Sequence, residues 1–327
     1  MPDITLDAIR NTTQRALIHH GAAPWVADHV ADAVCVAESL GNRICGLYYV
    51  QSYCQQLRSG RVKGDVEPVV TQPRTGVVSV DAGFGFAQPA FARGLPVALE
   101  ALRTTGIVSL NICHAHTCTA LGYFTDQIAR AGAIGMGFTN ASPIVAAPGG
   151  KARAIGTNPM AFAVPDGQGG VAMQFDQSTT QVALGRITMA KAAGEKIPEG
   201  WALDAQGQPT TDPEAALQGT LVSAGGHKGW GFGLMVEIMA AGLTGSLLSR
   251  DVKPLKAAQG APHDLGQSYV LIDPSVADGF HDKVAKLAEI VGQDPGTRMP
   301  GQGRWPAVSI DVPDALWAQM QGLVTGT

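Results

Sequence analysis

The residues best suited to bind or transform a small molecule fall in four short polar clusters. Phe138-Thr139-Asn140 and Gly156-Thr157-Asn158-Pro159 put hydroxyl and amide groups, donors and acceptors both, at the ends of apolar runs. Asp176-Gln177-Ser178-Thr179-Thr180 follows another such run and opens a helix-like stretch. One of its residues is expected to cap that helix, but one cap does not need five polar residues, so a ribose or phosphate contact is expected too. Gly225-Gly226-His227-Lys228-Gly229 precedes a long apolar run. Its glycines admit close backbone approach and Lys228 adds a positive charge, a pairing able to hold an anion at a helix start.

Two other chemistries are weighed and set aside. Gly83-Phe84-Gly85-Phe86-Ala87-Gln88 stands between a strand and a helix, but Gln88 occupies the third glycine position of a dinucleotide fingerprint and no acidic residue follows at the usual distance. A standard Rossmann site and a P-loop are therefore not expected. Cys113-His114-Ala115-His116-Thr117-Cys118 begins at a strand end, where neighbours point to opposite faces. Either Cys113 without an adjacent His, or His114 with His116, could converge, and no metal is expected. The stretch from His114 to Gly122 is a loop between strand and helix, a common place for ligand contacts. Thr119 is its candidate helix cap, and the N–H groups of that helix start could meet a phosphate.

The run Lys196 to Pro213 (KIPEGWALDAQGQPTTDP) has no helix or strand period. Its prolines and glycines specify a fixed path, and Trp201 argues against disorder, so an ordered loop near a site is expected.

These clusters need elements to position them. Apolar spacing predicts helices over Leu6 to His20, from Pro24 onward and over Gly46 to Ser59, forming a helical layer. Strands are expected at Val77 to Val80, Ile107 to Ile112, Ile134 to Phe138, Ala161 to Val164 and Val171 to Phe175. Helices at Ala87 to Arg103, Leu121 to Ala131 and Thr180 to Ala193 alternate with them. Beyond lie a long apolar helix at Trp230 to Leu247, a strand at Gln267 to Ile272, and helices at Ala277 to Val291 and Pro313 to Leu323.

With 327 residues the chain suits two domains at about 150 residues each. A net charge of −4 gives no basic footprint for nucleic acid. Five cysteines, odd in number, make no disulfide framework and fit a reducing cytosol. No run is apolar enough to span a membrane, and MPDITLDAIR is no signal peptide.

Taken together, Leu121-Gly122-Tyr123, Phe138-Thr139-Asn140, Pro148-Gly149-Gly150, Gly156-Thr157-Asn158-Pro159, Asp176-Gln177-Ser178, the Lys196–Pro213 loop and Gly225-Gly226-His227-Lys228-Gly229 resemble the type 2 malate/L-lactate dehydrogenase family. Within it, the loop and Asp176-Gln177-Ser178-Thr179 resemble the delta-1-piperideine-2-carboxylate/delta-1-pyrroline-2-carboxylate reductases. The resemblance implies an α/β fold: a non-Rossmann NAD(P)-binding domain with a mixed, mainly antiparallel sheet (71–214), inserted in a mainly helical, dimerising domain (1–70 plus 215–327). It implies a cytoplasmic homodimer using NADPH, with NADH possible, on a small imino or keto acid. By the same resemblance Thr157 contacts substrate, and Thr119, Asp176, Gln177, Ser178, His227, Lys228 and Arg304 line the cofactor. Lys228 also holds the reactants in place, and the charge of Arg186 suits a 2′-phosphate.

The chain departs from the family at one point. Relatives carry Ser-His-Gly and then an Arg three residues on, the His donating a proton and the Arg gripping a carboxylate. Counted back from Leu57-Arg58-Ser59-Gly60, these positions hold Ile44, Cys45, Gly46 and Tyr49. Cys45 could donate a proton or be a small core residue; Arg43 could replace the lost grip, and Tyr48 or Tyr49 could supply a hydroxyl. A ketone that accepts hydride becomes an alkoxide in need of a proton or an oxyanion partner. A cyclic imine can arrive already protonated. The leading expectation is thus an NADPH-dependent reductase of a cyclic ketimine carboxylate. A 2-hydroxy acid dehydrogenase and a cofactor-binding protein without catalysis are the alternatives.

Overall fold

The computed structural model describes residues 2–303 and 307–325. The first part of the chain holds β1 (Asp3–Thr5), α1 (Leu6–His19), α2 (Pro24–Ser39), α3 (Leu47–Ser59), β2 (Val69–Arg74), β3 (Val77–Asp81), α4 (Ala87–Thr105) and β4 (Ile107–Ala115). Then come α5 (Gly122–Arg130), β5 (Ile134–Thr139), β6 (Met160–Pro165), β7 (Val171–Gln177), α6 (Leu184–Ala193), β8 (Ala202–Leu203), β9 (Pro209–Thr210) and α7 (Pro213–Gln218). The last part holds β10 (Thr220–Leu221), α8 (His227–Glu237), β11 (Leu265–Ile272), α9 (Phe280–Val291), β12 (Ser309–Asp311) and α10 (Asp314–Thr325).

The helical layer forms for the reasons its spacing gives. In α1 the Thr5 hydroxyl accepts the Ala8 N–H, and Ile9, Thr13, Ala16 and Leu17 make one buried stripe. The second helix starts at Pro24, whose missing N–H costs nothing there. These helices pack with α3 and α10 around Leu17, Val30, Tyr53 and Met320. Glu38, buried at the end of α2, accepts the Leu47 N–H at 2.7 Å and so caps α3. A Cβ on Gly46 would lie 2.2 Å from the same carboxylate, so Glu38 also fixes the path of the Arg43–Cys45 turn. Glu38→Ala should cost about 1 kcal/mol of stability, read as a lower urea midpoint.

The fold is mixed α/β with a mainly antiparallel central sheet. Its strand order is β2-β3-β4-β11-β5-β6-β7, and β3–β4, joined through α4, is its one parallel pair. The centre of the sheet is β11, paired with β4 on one side and β5 on the other. This strand comes from residues 265–272, outside the 71–214 stretch expected to hold the sheet. It is buried along nearly its whole length, so its apolar run marks it as a strand while nothing local names its partners. Two edge features carried little apolar signal and were not expected: β2, whose residues are mostly exposed, and the β1–β12 pair. The main core, between α4, α5 and the sheet, holds Phe91, Leu110, Phe124 and Tyr269.

The Lys196–Pro213 loop is ordered. Its β8 and β9 pair with each other, and β10 joins them in a three-stranded sheet. Asp204 accepts the N–H groups of Gln206 and Gln208, both at 2.9 Å. Ile197 and Ala202 bury themselves in a third core with Ile187 of α6 and Leu221 of β10. The loop is therefore a buttress for α6. The apolar stretch expected to be a helix from Trp230 to Leu247 is helical without a break as far as Thr244, but α8 gives way after Glu237 to a wider π turn over Ile238–Gly242. Phe232, Ile238, Leu243 and Leu248 are left exposed there. No helix among the described residues is long and apolar enough to cross a membrane.

Candidate active site

Cys45 ends the short turn before α3, and Asp176 stands near the end of β7. Each is open to water, yet each is so crowded by protein that burial dominates its protonation, as happens on the walls of a cleft. Burial, with the Asp176 charge adding to it, pushes the Cys45 thiol up to about 12. Burial likewise raises Asp176, while the N–H groups of Gly122 and Leu121 pull it back down. Tyr49 lies buried beside Cys45, its ring 5.1 Å from that of Tyr53. Burial raises both phenols. The start of α6 covers the same turn, since a Cβ on Gly185 would lie 2.0 Å from Ile44.

Two expectations for this region are corrected. Thr119 does not cap α5; it takes φ +60° and its hydroxyl donates to the Cys118 carbonyl at 2.7 Å. The helix start is held instead by Asp176, whose carboxylate accepts the Gly122 N–H at 2.8 Å, so a phosphate there would meet a like charge. Arg43 is exposed, and its charge acts on Glu38. The cation that acts on Cys45 is Lys256, absent from the sequence-based expectations.

The other polar tips converge beside this cleft. The Thr157 carbonyl accepts the Thr179 N–H and hydroxyl at 3.0 and 3.1 Å, and the Thr179 carbonyl accepts the Ala224 N–H at 3.0 Å. Asp176, Gln177 and Ser178 thus run from the cleft to the Gly225–Gly229 turn. Not every polar residue of these tips is available to a ligand. Asn158 is fully buried, donating to Gly233 and Glu237. Asn140 donates to Leu247. Ser178 and Thr180 bond each other at 2.8 Å, and no side chain caps α6, contrary to the expected cap in this run. Gln177, His227 and Lys228 are exposed, and Thr157 and Ser178 half-buried.

The start of α8 fits a phosphate-bearing cofactor. Gly225 and Gly226 adopt φ +62° and +63°, and no side chain caps the helix behind them. A Cβ on Gly229 would come 2.3 Å from the Ala224 carbonyl oxygen, so this turn tolerates no bulk. Arg186 is exposed on α6. Arg304, the expected C-terminal cofactor contact, lies outside the described residues; the neighbouring Arg298–Gly301 segment lies across a groove from Asp176 and Gln174.

The cysteine–histidine run is rearranged relative to expectation. His114, at φ +49°, breaks the strand alternation, so Cys113, His114 and Asp81 bring their ligand atoms within 4.8 Å of one another. His116 turns away, stacking on His263 at 4.0 Å and bonding Gln56.

A protein-family model described as malate/L-lactate dehydrogenase matches residues 4–321. A (2R)-3-sulfolactate dehydrogenase (NADP(+)) of Chromohalobacter salexigens is 37% identical over 96% of this chain and 95% of its own. A delta(1)-pyrroline-2-carboxylate reductase of Burkholderia multivorans is 34% identical over 98% and 97%. The crystal structure of delta1-piperideine-2-carboxylate reductase from Pseudomonas syringae pathovar tomato superposes with a TM-score of 0.90 at 31% identity, covering 99% of this chain and all of that one (100%).

Proposed function

The chain belongs to the malate/L-lactate dehydrogenase family, a family of oxidoreductases, and on that premise we propose that it is an NADPH-dependent reductase of a cyclic ketimine carboxylate. The observation that carries this reading is Cys45, at the position of the family's proton donor, within reach of the Asp176 charge. A thiol pushed up to about 12 stays neutral and is a weak acid for an alkoxide. A protonated ketimine needs no such donor, and the Asp176 carboxylate offsets its positive charge. NADPH, when bound, supplies a hydride to the imine carbon, and the nitrogen keeps its proton in the product amine.

Thr157 and the N-terminal turn of α8 then hold the reactants together. Lys228 and His227 would hold the cofactor phosphates, Gln177 and Ser178 its ribose, and Arg186 a 2′-phosphate. The proposed division into a helical unit (1–70 with 215–327) and a cofactor unit (71–214) needs one amendment, since β11 crosses into the sheet. A homodimer is proposed through the exposed Phe232, Ile238, Leu243 and Leu248, an apolar surface of the kind that marks interaction sites. Five free cysteines support a reducing compartment, the cytoplasm.

The sulfolactate dehydrogenase relative favours a second reading, a 2-hydroxy acid dehydrogenase. It requires a proton for the alkoxide, and Asp176, its carboxyl raised by burial, is the group in the cleft to give one. The deciding assay follows NADPH and NADH oxidation with 1-pyrroline-2-carboxylate, 1-piperideine-2-carboxylate, pyruvate and sulfopyruvate. We expect kcat/KM to be highest for a cyclic imine with NADPH. A folded protein that turns over only the keto acids would overturn the first reading in favour of the second.

A further inference from the structure

We propose that residues 252–263 form a cation-bearing arm whose Lys256 binds the anionic group, carboxylate or sulfonate, of the substrate beside Tyr49. The inference rests on the reading of the cleft as an imino or keto acid site. The Lys256 ammonium stands 4.8 Å from the centre of the Tyr49 ring, a cation–π distance. Tyr49 occupies the position at which relatives carry a carboxylate-gripping Arg. The positive charge thus reaches the same spot from a different segment, about 200 residues further along the chain.

The arm has no helix or strand over these residues, so its path is set by side chains below it. Gln56 and His263 both donate to the Leu255 carbonyl at 3.0 Å. Arg61 donates to Ala257 at 2.5 Å and to Ala261 at 3.0 Å. All three side chains are buried, Arg61 at only 2% exposure. A buried guanidinium is costly unless its donors are satisfied, and here backbone carbonyls of the arm accept from it. Releasing the arm would leave that charge unsatisfied, so the arm stays docked. Its Lys256 is itself exposed, which leaves the ammonium accessible to an incoming anion. The Arg61 charge also acts on Tyr49, adding to the positive potential at that residue.

Across the cleft the Asp176 charge also acts on Cys45, with opposite sign to that of Lys256. A protonated cyclic ketimine carboxylate is a zwitterion. Its nitrogen would face Asp176 and its carboxylate Lys256, which fixes which way round the ring enters.

Kinetics of Lys256→Met and Lys256→Arg test the arm. With the imino acid substrate, Lys256→Met should raise KM about tenfold with little change in kcat or in NADPH affinity, and Lys256→Arg should restore most of the loss. Calorimetric titration with pyrrole-2-carboxylate and with uncharged pyrrole-2-carboxamide gives a readout independent of turnover. The carboxylate should bind wild type about tenfold more tightly than Lys256→Met, and the carboxamide should bind both alike. An unchanged carboxylate affinity, an equal loss for the carboxamide, or a loss of NADPH affinity instead would overturn the assignment. A wild-type protein that binds the carboxylate through Lys256 yet reduces no imine would retain the arm and reject the ketimine reading.

Discussion

A Cys45→His enzyme should reduce 2-keto acids about 10²-fold faster than the parent protein, while its ketimine rate changes by less than about tenfold. The two reactions differ in one proton. Hydride addition to a ketone leaves an alkoxide, and in the parent cleft the nearest thiol is held neutral at about 12. An imidazole there would stand beside Asp176, whose negative charge favours the imidazolium and keeps a proton ready near neutral pH. The ketimine brings its own proton, so it gains little. The variant should also acquire an alkaline limb in kcat/KM for keto acids, since the new acid is lost as pH rises through its pKa. Rates for pyruvate and for a cyclic ketimine carboxylate between pH 5.5 and 9 check both points. A folded variant with no keto acid gain would show that protonation is handled elsewhere, with Asp176 the first group to suspect.

Local pattern made much of this molecule legible before its structure. The strands from Val77 to Phe175 and the helices from Leu6 to Arg130 declare themselves through period and caps, because each is stabilised by its own apolar face. The four polar clusters were also visible, since turn chemistry confines Thr, Asn and Gly to strand ends. What pattern could not supply was anything set by contacts between distant segments. The central place of β11 depends on β4 and β5, some 150 residues away. Asp176 read as a ribose contact because nothing nearby shows that it holds the start of α5, 54 residues earlier. Lys256 sits in a stretch with no period and would pass for a solvated lysine; only Gln56, Arg61 and His263 reveal that its backbone is tied down. Cys113 and His114 converge because one residue adopts φ +49°, a choice that strand alternation does not predict.

The histidines beneath that arm should make the protein lose stability as pH falls from about 6.5 toward 4. His263 accepts the Thr117 N–H at Nδ1 and donates from Nε2 to Leu255, so both ring positions are committed to the neutral form. Burial, with Arg61 adding to it, lowers His263 to about 3, and burial with the neighbouring His263 lowers His116 well below its ordinary value. His20, lowered to about 4 by burial and then Arg58, acts in the same direction. In each case the unfolded chain takes up a proton near pH 6.5 that the folded state refuses, so their stabilisation is present above that pH and lost as pH falls. For His263 alone the loss approaches about 5 kcal/mol at its acid limit, a large share of the roughly 5–15 kcal/mol typical of a folded domain. The raised carboxyls of Glu38 and Asp176 work the other way. The lowered Asp81 and Asp166 act only below about pH 4, where carboxylates ordinarily titrate, so the window above that belongs to the histidines. Urea unfolding from pH 7.5 to 4.5 should show stability nearly level above about pH 6.5 and falling below it. In His263→Gln the slope of stability against pH should drop by close to one proton, whatever the variant costs at neutral pH. An unchanged slope would mean that His263 titrates in the folded protein as it does in the unfolded chain, and that its Nδ1 does not accept the Thr117 N–H there.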